Sequence, residues 1–313
     1  MVSAKEARVD SLLTKTAVDF LNKEAKFVAD LILPTLTVTT ETGIYFKYEQ
    51  ADLRHEDDSR APGTPAKETV YDLTQVSYGP LPSYALKNKV TDELGRQMGQ
   101  TLAEKNATKR TVQKLLIAKE RRLAARMADT AVITQNTTLS GTSQWSDYTN
   151  STPVSDIFTA KSTVNTGCMN EANTLVFGYD VFQKLRNHPD LVGRISGLTE
   201  AVTMEQMKAI FEVDNIIVAN TQYNTARQGA TKSMAQIWGK HAWALYINPE
   251  APQEIDSITL GHTLRLEGEG MDRTIVTKWY DEDAEASWVR ASMKYEQKFM
   301  AVECAYLIKN AVA

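Results

Sequence analysis

Residues 42–89 have the sequence TGIYFKYEQADLRHEDDSRAPGTPAKETVYDLTQVSYGPLPSYALKNK, and this stretch limits the folds open to the chain. The apolar and aromatic run that follows Gly43 and the run VYDLTQVSY, residues 70–78, have the composition of strands. Between them lies the turn-rich segment RAPGTP, residues 60–65, which predicts the tip of a long hairpin. A two-stranded ribbon of this length is not stable alone in water and needs support. A loop this long is disordered, functional, or has its binding partner outside the chain, and the charges on either side of it favour the third reading.

The charges on either side of this hairpin differ in sign. Residues 49–58 carry five carboxylates against Arg54, a net charge of −4. Residues 101–130 carry eight basic side chains against three acidic ones, a net charge of +5. We expect the acidic limb of one copy to dock on the basic segment of a second copy. The candidate contacts are Glu49, Asp52, Glu56, Asp57, Asp58, Arg110, Lys114, Arg121, Arg122 and Arg126. A solvated charged face, or one that contacts a nucleic-acid backbone, is the alternative for the basic segment.

The basic segment has the pattern of a long helix. No proline occurs between Pro82 and Pro153, and apolar residues recur at a spacing near 3.6. The stripe consists of Val112, Leu115, Leu116, Leu123 and Met127. About thirty residues at about 1.5 Å each predict a rod roughly 45 Å long.

Residues 1–40 predict a terminal arm with an apolar side. Chain ends are disordered unless they are tied down, and this end has little of its own domain to cover it. We therefore expect the arm to act between subunits. Its candidate contacts are Leu12, Phe20 and Phe27, with Leu13 and Leu31 on the same apolar surface.

The second half of the chain predicts alternating strands and helices. Residues 174–177 have the pattern of a strand, and Thr203 followed by Gln206 three residues later is a helix-start signal. Residues 288–298 alternate between apolar and polar side chains, as in a strand with one buried face. Short connections between these elements predict a self-contained αβ module over residues 166–269.

Composition excludes several classes of protein. The chain has 313 residues, a formal net charge of −4 and a hydrophobic content of 42%, which suits one large or two modest folded domains. Cys168 and Cys304 are far apart with no partner spacing, which argues against a disulfide framework. The first residues lack the apolar core of a signal peptide, and no apolar run approaches a membrane span of about 18 residues. The sequence predicts a soluble chain made in the cytosol.

Catalytic and metal-binding patterns are sparse. The four histidines, His55, His188, His241 and His262, lack the spacings that a zinc site favours. Residues 229–233, GATKS, lack the glycine directly before the lysine and the upstream glycine of a phosphate loop. The acidic residues 281–283 fit a solvated turn better than a cation site. We predict no catalytic residue, no cofactor and no metal.

The order of these parts resembles the major capsid proteins of tailed bacteriophages. The segments that carry the resemblance are ARVDSLLTKTAVDF, FVADLILPTLTV, YFKY, RAPGTPAK, LSGTSQWSDYTNSTPVSDI, NTLVFGYDVFQKLRNHPDLVGRI, WGKHAWALY and YEQKFMAVECAYLIK. None is a catalytic motif, and their specificity lies in their occurrence together and in this order. The resemblance implies an α+β Hong Kong 97-like fold and covers essentially the whole chain.

The family's anatomy implies boundaries for each part of this chain. Residues 1–40 would form the N-terminal arm and residues 41–90 the extended loop. Residues 91–165, with the long spine helix, and residues 270–313, with C-terminal strands, would form the peripheral domain. Residues 166–269 would form the axial domain, which points to the centre of the capsomer.

The implied function is a structural shell protein, not an enzyme. It would assemble as homo-hexamers and homo-pentamers into an icosahedral virion shell in the host cytoplasm. The implied partners are a portal, a separate scaffolding protein, a decoration protein and packaged double-stranded DNA held non-specifically, with no membrane. An encapsulin-type nanocompartment and, more remotely, an oligomeric cytosolic enzyme with a long regulatory loop are the alternatives.

Overall fold

The structure is a computed structural model of the chain. It describes residues 8–23, 27–48, 73–195, 201–248, 258–266 and 274–313, and within the loop residues 55, 58–60, 62–63, 65–66 and 68.

The helices of the described residues follow their sequence signals closely. Thr203 and Gln206 form the predicted capping box at the start of the last helix. Gly99, with φ of +86°, separates the long helix from a short one before it. The helices are α1 Ser11–Lys23, α2 Ala29–Ile32, α3 Asp92–Met98, α4 Gln100–Met127, α5 Pro153–Cys168, α6 Tyr179–Leu185, α7 Pro189–Val192 and α8 Met204–Phe211.

The strands of the described residues form two large sheets and two two-stranded sheets. They are β1 Arg8–Val9, β2 Thr35–Val38, β3 Gly43–Tyr48, β4 Leu73–Tyr78, β5 Ser83–Thr91, β6 Asn136–Thr138, β7 Thr174–Gly178, β8 Asn215–Ala219, β9 Gln222–Asn224, β10 Met234–Gln236, β11 Ala242–Leu245, β12 Gly261–Leu266, β13 Ile275–Asp281, β14 Ala286–Phe299 and β15 Ala305–Lys309. The predicted alternation of β14 is present, with Val289, Ala291 and Tyr295 buried and Arg290 exposed.

The first sheet is organised around the 14-residue strand β14. Residues 286–292 of this strand pair with β13, and residues 286–294 pair with β5. Its last five residues, 295–299, pair with β12, which in turn pairs in parallel with β2 from the N-terminal arm. Strand β1 extends the sheet beyond β13.

The second sheet has the order β6-β15-β11-β7-β8 and carries the largest core. All residues of β7 and β11 are buried, since both strands lie inside the sheet and helices cover it. Strand β15, from residues 270–313, and strand β6, from residues 91–165, pair within this sheet. Strand β12, from residues 166–269, pairs within the first sheet. The division into an arm, an extended loop, a peripheral domain and an axial domain stays a prediction.

Helix α4 joins the two sheets. Its middle contributes Val112, Leu115 and Leu116 to a core cluster with Val276 and Val289 of the first sheet. Its C-terminal turns contribute Leu123 and Met127 to the large core cluster around the second sheet. All five residues of the predicted apolar stripe are buried, which confirms the helix and the face that it buries.

The described part of the N-terminal arm lies against its own chain. Strand β1 pairs with β13, α1 packs on α4, and β2 pairs with β12. Leu13 and Ala17 are buried against α4 and the first sheet. We expected little of this chain to cover the arm, and for this face of α1 that expectation is wrong. Side chains from residues 276–291, far away in sequence, cover it.

The predicted hairpin begins as β3 and β4. Six antiparallel pairs run from Gly43↔Tyr78 to Tyr48↔Leu73. At its base, Lys294 pairs with Glu41, and the Gly79 amide donates to a Glu296 carboxylate oxygen at 3.1 Å. Ile44 is 58% exposed on the hairpin, so this ribbon leaves an apolar side chain without cover from its own chain.

Candidate assembly surfaces

Glu120 on α4 holds the N-terminal arm in place. Its carboxylate is buried and accepts hydrogen bonds from the amides of Val28 and Ala29, each at 3.0 Å. A third donor, the Trp238 indole N–H, lies 2.7 Å away. Burial raises the pKa of this carboxyl. The three donors, two peptide N–H groups and one indole N–H, oppose that shift because they stabilise the charged carboxylate. One side chain thus ties the arm, α4 and the segment before β11 together.

Lys119, the neighbour of Glu120, is also directed into the chain. Its ammonium pairs with Asp30 of α2, and the Arg265 guanidinium lies 3.8 Å from the other oxygen of the same carboxylate. Burial lowers the pKa of Lys119, although the Asp30 carboxylate acts in the opposite direction. The Lys119 side chain is buried whereas the Asp30 side chain is 46% exposed, so removal of Asp30 would leave a buried ammonium without this carboxylate.

Two of the basic candidates, Arg122 and Arg126, are engaged within the chain. The Arg122 guanidinium lies 3.8 Å from the centre of the Tyr84 ring and donates to the Tyr295 hydroxyl. Arg126 donates to the Gln297 carbonyl and lies over the Phe299 ring at 4.3 Å, and burial lowers its pKa. Their contact with a neighbouring subunit stays a prediction, and these internal contacts weaken it.

Three other basic candidates form an exposed row along α4. Arg110, Lys114 and Arg121 are spaced by four and seven residues, which places them on one face of the helix. All three side chains are exposed. The Arg121 guanidinium lies 4.4 Å from the centre of the Tyr223 ring, so the β9–β10 hairpin supports one end of the row. We call these three residues the basic row.

A groove of about 520 Å³ lies beside Arg121. One wall is the small-residue side of α4, formed by Ala118, Ala125 and Ala128, and the opposite wall holds Tyr223 and Trp238. Apolar side chains line the groove together with Arg121 and Arg122.

The acidic candidates lie in or next to the loop tip. Asp58 is exposed. Glu49, Asp52, Glu56 and Asp57 lie outside the described residues, so their contact with the basic row stays a prediction.

The apolar candidates of the arm differ in their environment. Leu12 is 50% exposed while its neighbour Leu13 is 2% exposed. Phe27 is half-buried against the cluster of α1, α4 and the first sheet. The side chain of Phe20 lies outside the described part of α1. Leu12 and the 57%-exposed Leu31 are thus the apolar arm side chains that the described chain leaves open to a neighbour.

One serine–histidine contact superficially resembles a catalytic pair. Ser151 Oγ lies 2.9 Å from His188 Nε2. However, the Asp190 amide donates to His188 Nδ1, which leaves Nε2 as the protonated nitrogen, and Ser151 Oγ donates to the Asp147 carbonyl at 2.6 Å. A protonated Nε2 cannot accept the serine proton, so the contact orders a turn and does not activate a nucleophile.

Within the described residues, no three His, Cys, Asp or Glu side chains come together as a cation site. The helices described here also include none with the length and hydropathy needed to cross a bilayer.

Comparisons with known proteins point to one family. No family model matches the chain. The major capsid protein of Burkholderia phage BcepMu is 24% identical over 312 residues, covering 96% of each chain. The major capsid protein of Pseudomonas phage JBD67 is 26% identical over 252 residues, covering 76% of this chain and 77% of that protein.

Solved structures agree with these relatives. The crystal structure of a phage-related protein from Bordetella bronchiseptica superposes with a TM-score of 0.75 at 22% identity, covering 98% of both chains. The capsid structure of the cyanophage P-SCSP1u gives a TM-score of 0.56 at 11% identity, covering 89% of this chain and 86% of that one.

The chain has the Hong Kong 97-like capsid fold. The resemblance stated from the sequence and the α+β fold class are both confirmed. We call α4 the spine helix and the segment that begins with β3 and returns with β4 the extended loop, as the resemblance assigns them, and their roles in a shell stay predictions. In the sequence, Lys119 and Glu120 are two of the charged residues of a helix. No local pattern indicates that they hold the arm, because their partners at residues 28–30 lie about ninety positions away.

Proposed function

We propose that this chain is the major capsid protein of a tailed double-stranded DNA bacteriophage. It self-assembles into hexamers and pentamers of an icosahedral shell that encloses the genome. The observation that carries the proposal is the match to a phage major capsid protein along 96% of both chains, combined with the capsid fold. The protein acts as a structural component of the virion and not as an enzyme.

The unsatisfied surfaces of the chain support assembly. The hairpin is anchored at its base and exposes Ile44, and the arm exposes Leu12 and Leu31. Apolar side chains on extended elements are stabilised when a neighbouring copy covers them. Repeated around a ring of copies, these contacts would bury more than the roughly 1,600 Å² of a standard complex.

The polar part of the interface is the acidic limb of one copy against the basic row of the next. The net charge of −4 over residues 49–58 complements Arg110, Lys114 and Arg121. The groove beside Arg121 gives the docking segment a place for apolar side chains. Exposed ion pairs stabilise by only about 0.2–1 kcal/mol each, so the complementarity selects register and speeds association more than it adds affinity.

The same proposal names the partners of the shell. They are a portal at one vertex, a separate scaffolding protein, a decoration protein outside and double-stranded DNA inside, contacted through its phosphates without sequence specificity. Assembly takes place in the host cytoplasm. The arm, extended loop, peripheral domain and axial domain are the working parts, with the boundaries that the resemblance implies.

Electron microscopy of the expressed and purified chain tests the proposal. We expect closed shells of uniform diameter. A single discrete species between monomer and tetramer in sedimentation, with no shells under any salt condition, would instead support an oligomeric enzyme. Shells that enclose a specific protein and exclude nucleic acid in infected or lysogenic cells would support an encapsulin-type compartment.

A further inference from the structure

The fold brings together two cysteines that are 136 positions apart in sequence. Cys168 is the last residue of α5, and Cys304 lies in the turn that precedes β15. Both side chains are fully buried in the large core cluster. These are the two cysteines of the chain, so any disulfide within one copy must join them.

The backbones around the two thiols pack closely. Helix α5 packs against the 302–304 turn. A Cβ added at Gly167 would lie 3.2 Å from the carbonyl oxygen of Glu303, so the residues directly before the two cysteines are in contact. A glycine at position 167 permits this approach, which brings the two sulfur-bearing residues to neighbouring positions.

A directed chain of hydrogen bonds links the two thiols. Cys168 Sγ donates to the Asn170 carbonyl at 3.3 Å. The Cys304 thiol bonds to Cys168, and this hydrogen bond is the main reason that the pKa of Cys168 is lowered. Accepted hydrogen bonds stabilise a thiolate, and the thiolate is the reactive form of cysteine. Cys168 is therefore the first nucleophile of the pair and Cys304 the resolving thiol.

We propose that Cys168 and Cys304 form a redox-sensitive site at which a peroxide converts the thiol pair into an intramolecular disulfide. The Cys168 thiolate attacks one oxygen of hydrogen peroxide, an S–O bond forms, the O–O bond breaks and hydroxide leaves. Cys304 sulfur then attacks the sulfenic sulfur, the S–S bond forms and the S–O bond breaks. The two thiol protons join the two oxygens and two hydrogens of the peroxide and leave as two waters, so two electrons pass from the thiols to the peroxide.

The disulfide would fasten the end of α5 to the start of β15. Strand β15 lies between β6 and β11, and residues 310–313 follow it to the chain end. A bond that closes a loop of this length removes much of the freedom of the unfolded chain. The thiols stay reduced in a cytosol, so the bond would form after the protein leaves it. This timing rests on the proposed function, whereas the chemistry of the pair does not.

The test uses the full chain in its purified form, reduced and then treated with hydrogen peroxide. Free thiols are alkylated in denaturant, and tryptic peptides 162–184 and 299–309 are measured by mass spectrometry. We expect loss of both alkylated peptides, appearance of one linked peptide pair lighter by two hydrogens, and an unchanged monomer band on a non-reducing gel. The melting temperature should rise by several degrees and return after reduction.

Cys304→Ser is the matched control. Peroxide oxidises the methionines of the wild type and of this variant alike, so a difference between the two proteins reports on the cysteine pair. The variant should form no linked pair and show no rise in melting temperature. If it fails to fold, the comparison of oxidised with re-reduced wild type carries the same test. Two intact thiols after peroxide, separate sulfinic acids or a disulfide-linked dimer would each overturn the proposal, whether or not the chain forms shells.

Discussion

The spine helix has two sets of charges with different roles. Glu104, Lys119 and Glu120 face the chain, where Lys278 pairs with Glu104 at 2.6 Å and the arm engages the other two. Arg110, Lys114 and Arg121 face outward, and the described chain supplies them no carboxylate. The charged side chains of this helix therefore form two groups: one stabilises the fold of its own copy, and the other remains exposed for a second copy. Substitutions on the two faces should therefore separate folding from assembly.

The largest effect is expected at Glu120. The variant Glu120→Ala leaves the amides of Val28 and Ala29 and the Trp238 indole without their buried acceptor. We expect a loss of about 3–5 kcal/mol in the free energy of unfolding, measured by urea denaturation. The outward control Lys114→Ala should change it by less than about 0.5 kcal/mol. Equal losses in both variants would show that the two faces are not distinct.

Leu12 and Leu13 of α1 allow the same comparison between an exposed and a buried side chain. Leu13→Ala removes a buried side chain from the cluster of α1, α4 and the first sheet, and we expect a loss of about 2–5 kcal/mol. Leu12→Ala alters a half-exposed side chain and should leave stability nearly unchanged while reducing the yield of closed shells. Calorimetry and electron microscopy of both variants measure the two effects. If a Leu12→Lys variant assembles as completely as wild type, Leu12 does not lie in the interface between copies.

Charge reversal in the loop should affect assembly and leave folding intact. The double variant Asp57→Lys with Asp58→Lys should slow shell closure several-fold, more at low salt than at high salt, because exposed ion pairs are weak and screened. Light scattering during assembly at two salt concentrations measures the rate. Glu282→Lys with Asp283→Lys, an equal change in the exposed β13–β14 turn, is the control. If the loop variant assembles at the control rate, the basic row serves another partner such as packaged DNA.

The smallest effect is a pH dependence from Glu120. Burial raises its pKa in the folded chain, so the folded state binds this proton more tightly than the unfolded state. The contribution of this tighter proton binding to the free energy of unfolding is fully present below the unfolded-state pKa. It is lost as pH rises through the raised folded-state pKa. The free energy of unfolding of wild type minus that of Glu120→Gln should therefore decrease as pH rises above the ordinary glutamate pKa. A difference that grows with pH would contradict this assignment.

The sequence predicts the elements whose signals are local. The apolar stripe of α4, the capping box at Thr203, the first limb of the hairpin and the alternation of β14 are all present in the structure. Each signal lies within one turn or one strand of the residues that it describes. The resemblance supplied the overall fold because it compares the order of such segments along the whole chain.

The sequence does not predict which distant segments meet. Strand β15 pairs with β11 and β6, and β12 pairs with β14, and no local pattern indicates these pairings. Likewise Glu120 and Lys119 look like surface charges until residues 28–30 are placed beside them. The pair of Cys168 and Cys304 has no spacing signal for the same reason. Pairing depends on packing between elements, and no pattern within one element encodes it.

A cryo-electron microscopy reconstruction of the assembled shell would show both faces of the spine helix at once. We expect residues 49–58 of one copy to lie along the basic row of a neighbour, with their carboxylates against Arg110, Lys114 and Arg121, while Glu120 still holds residues 28–29 of its own chain. A basic row that faces the lumen with no loop on it, or an arm released from Glu120, would contradict the division of the spine helix into a folding face and an assembly face.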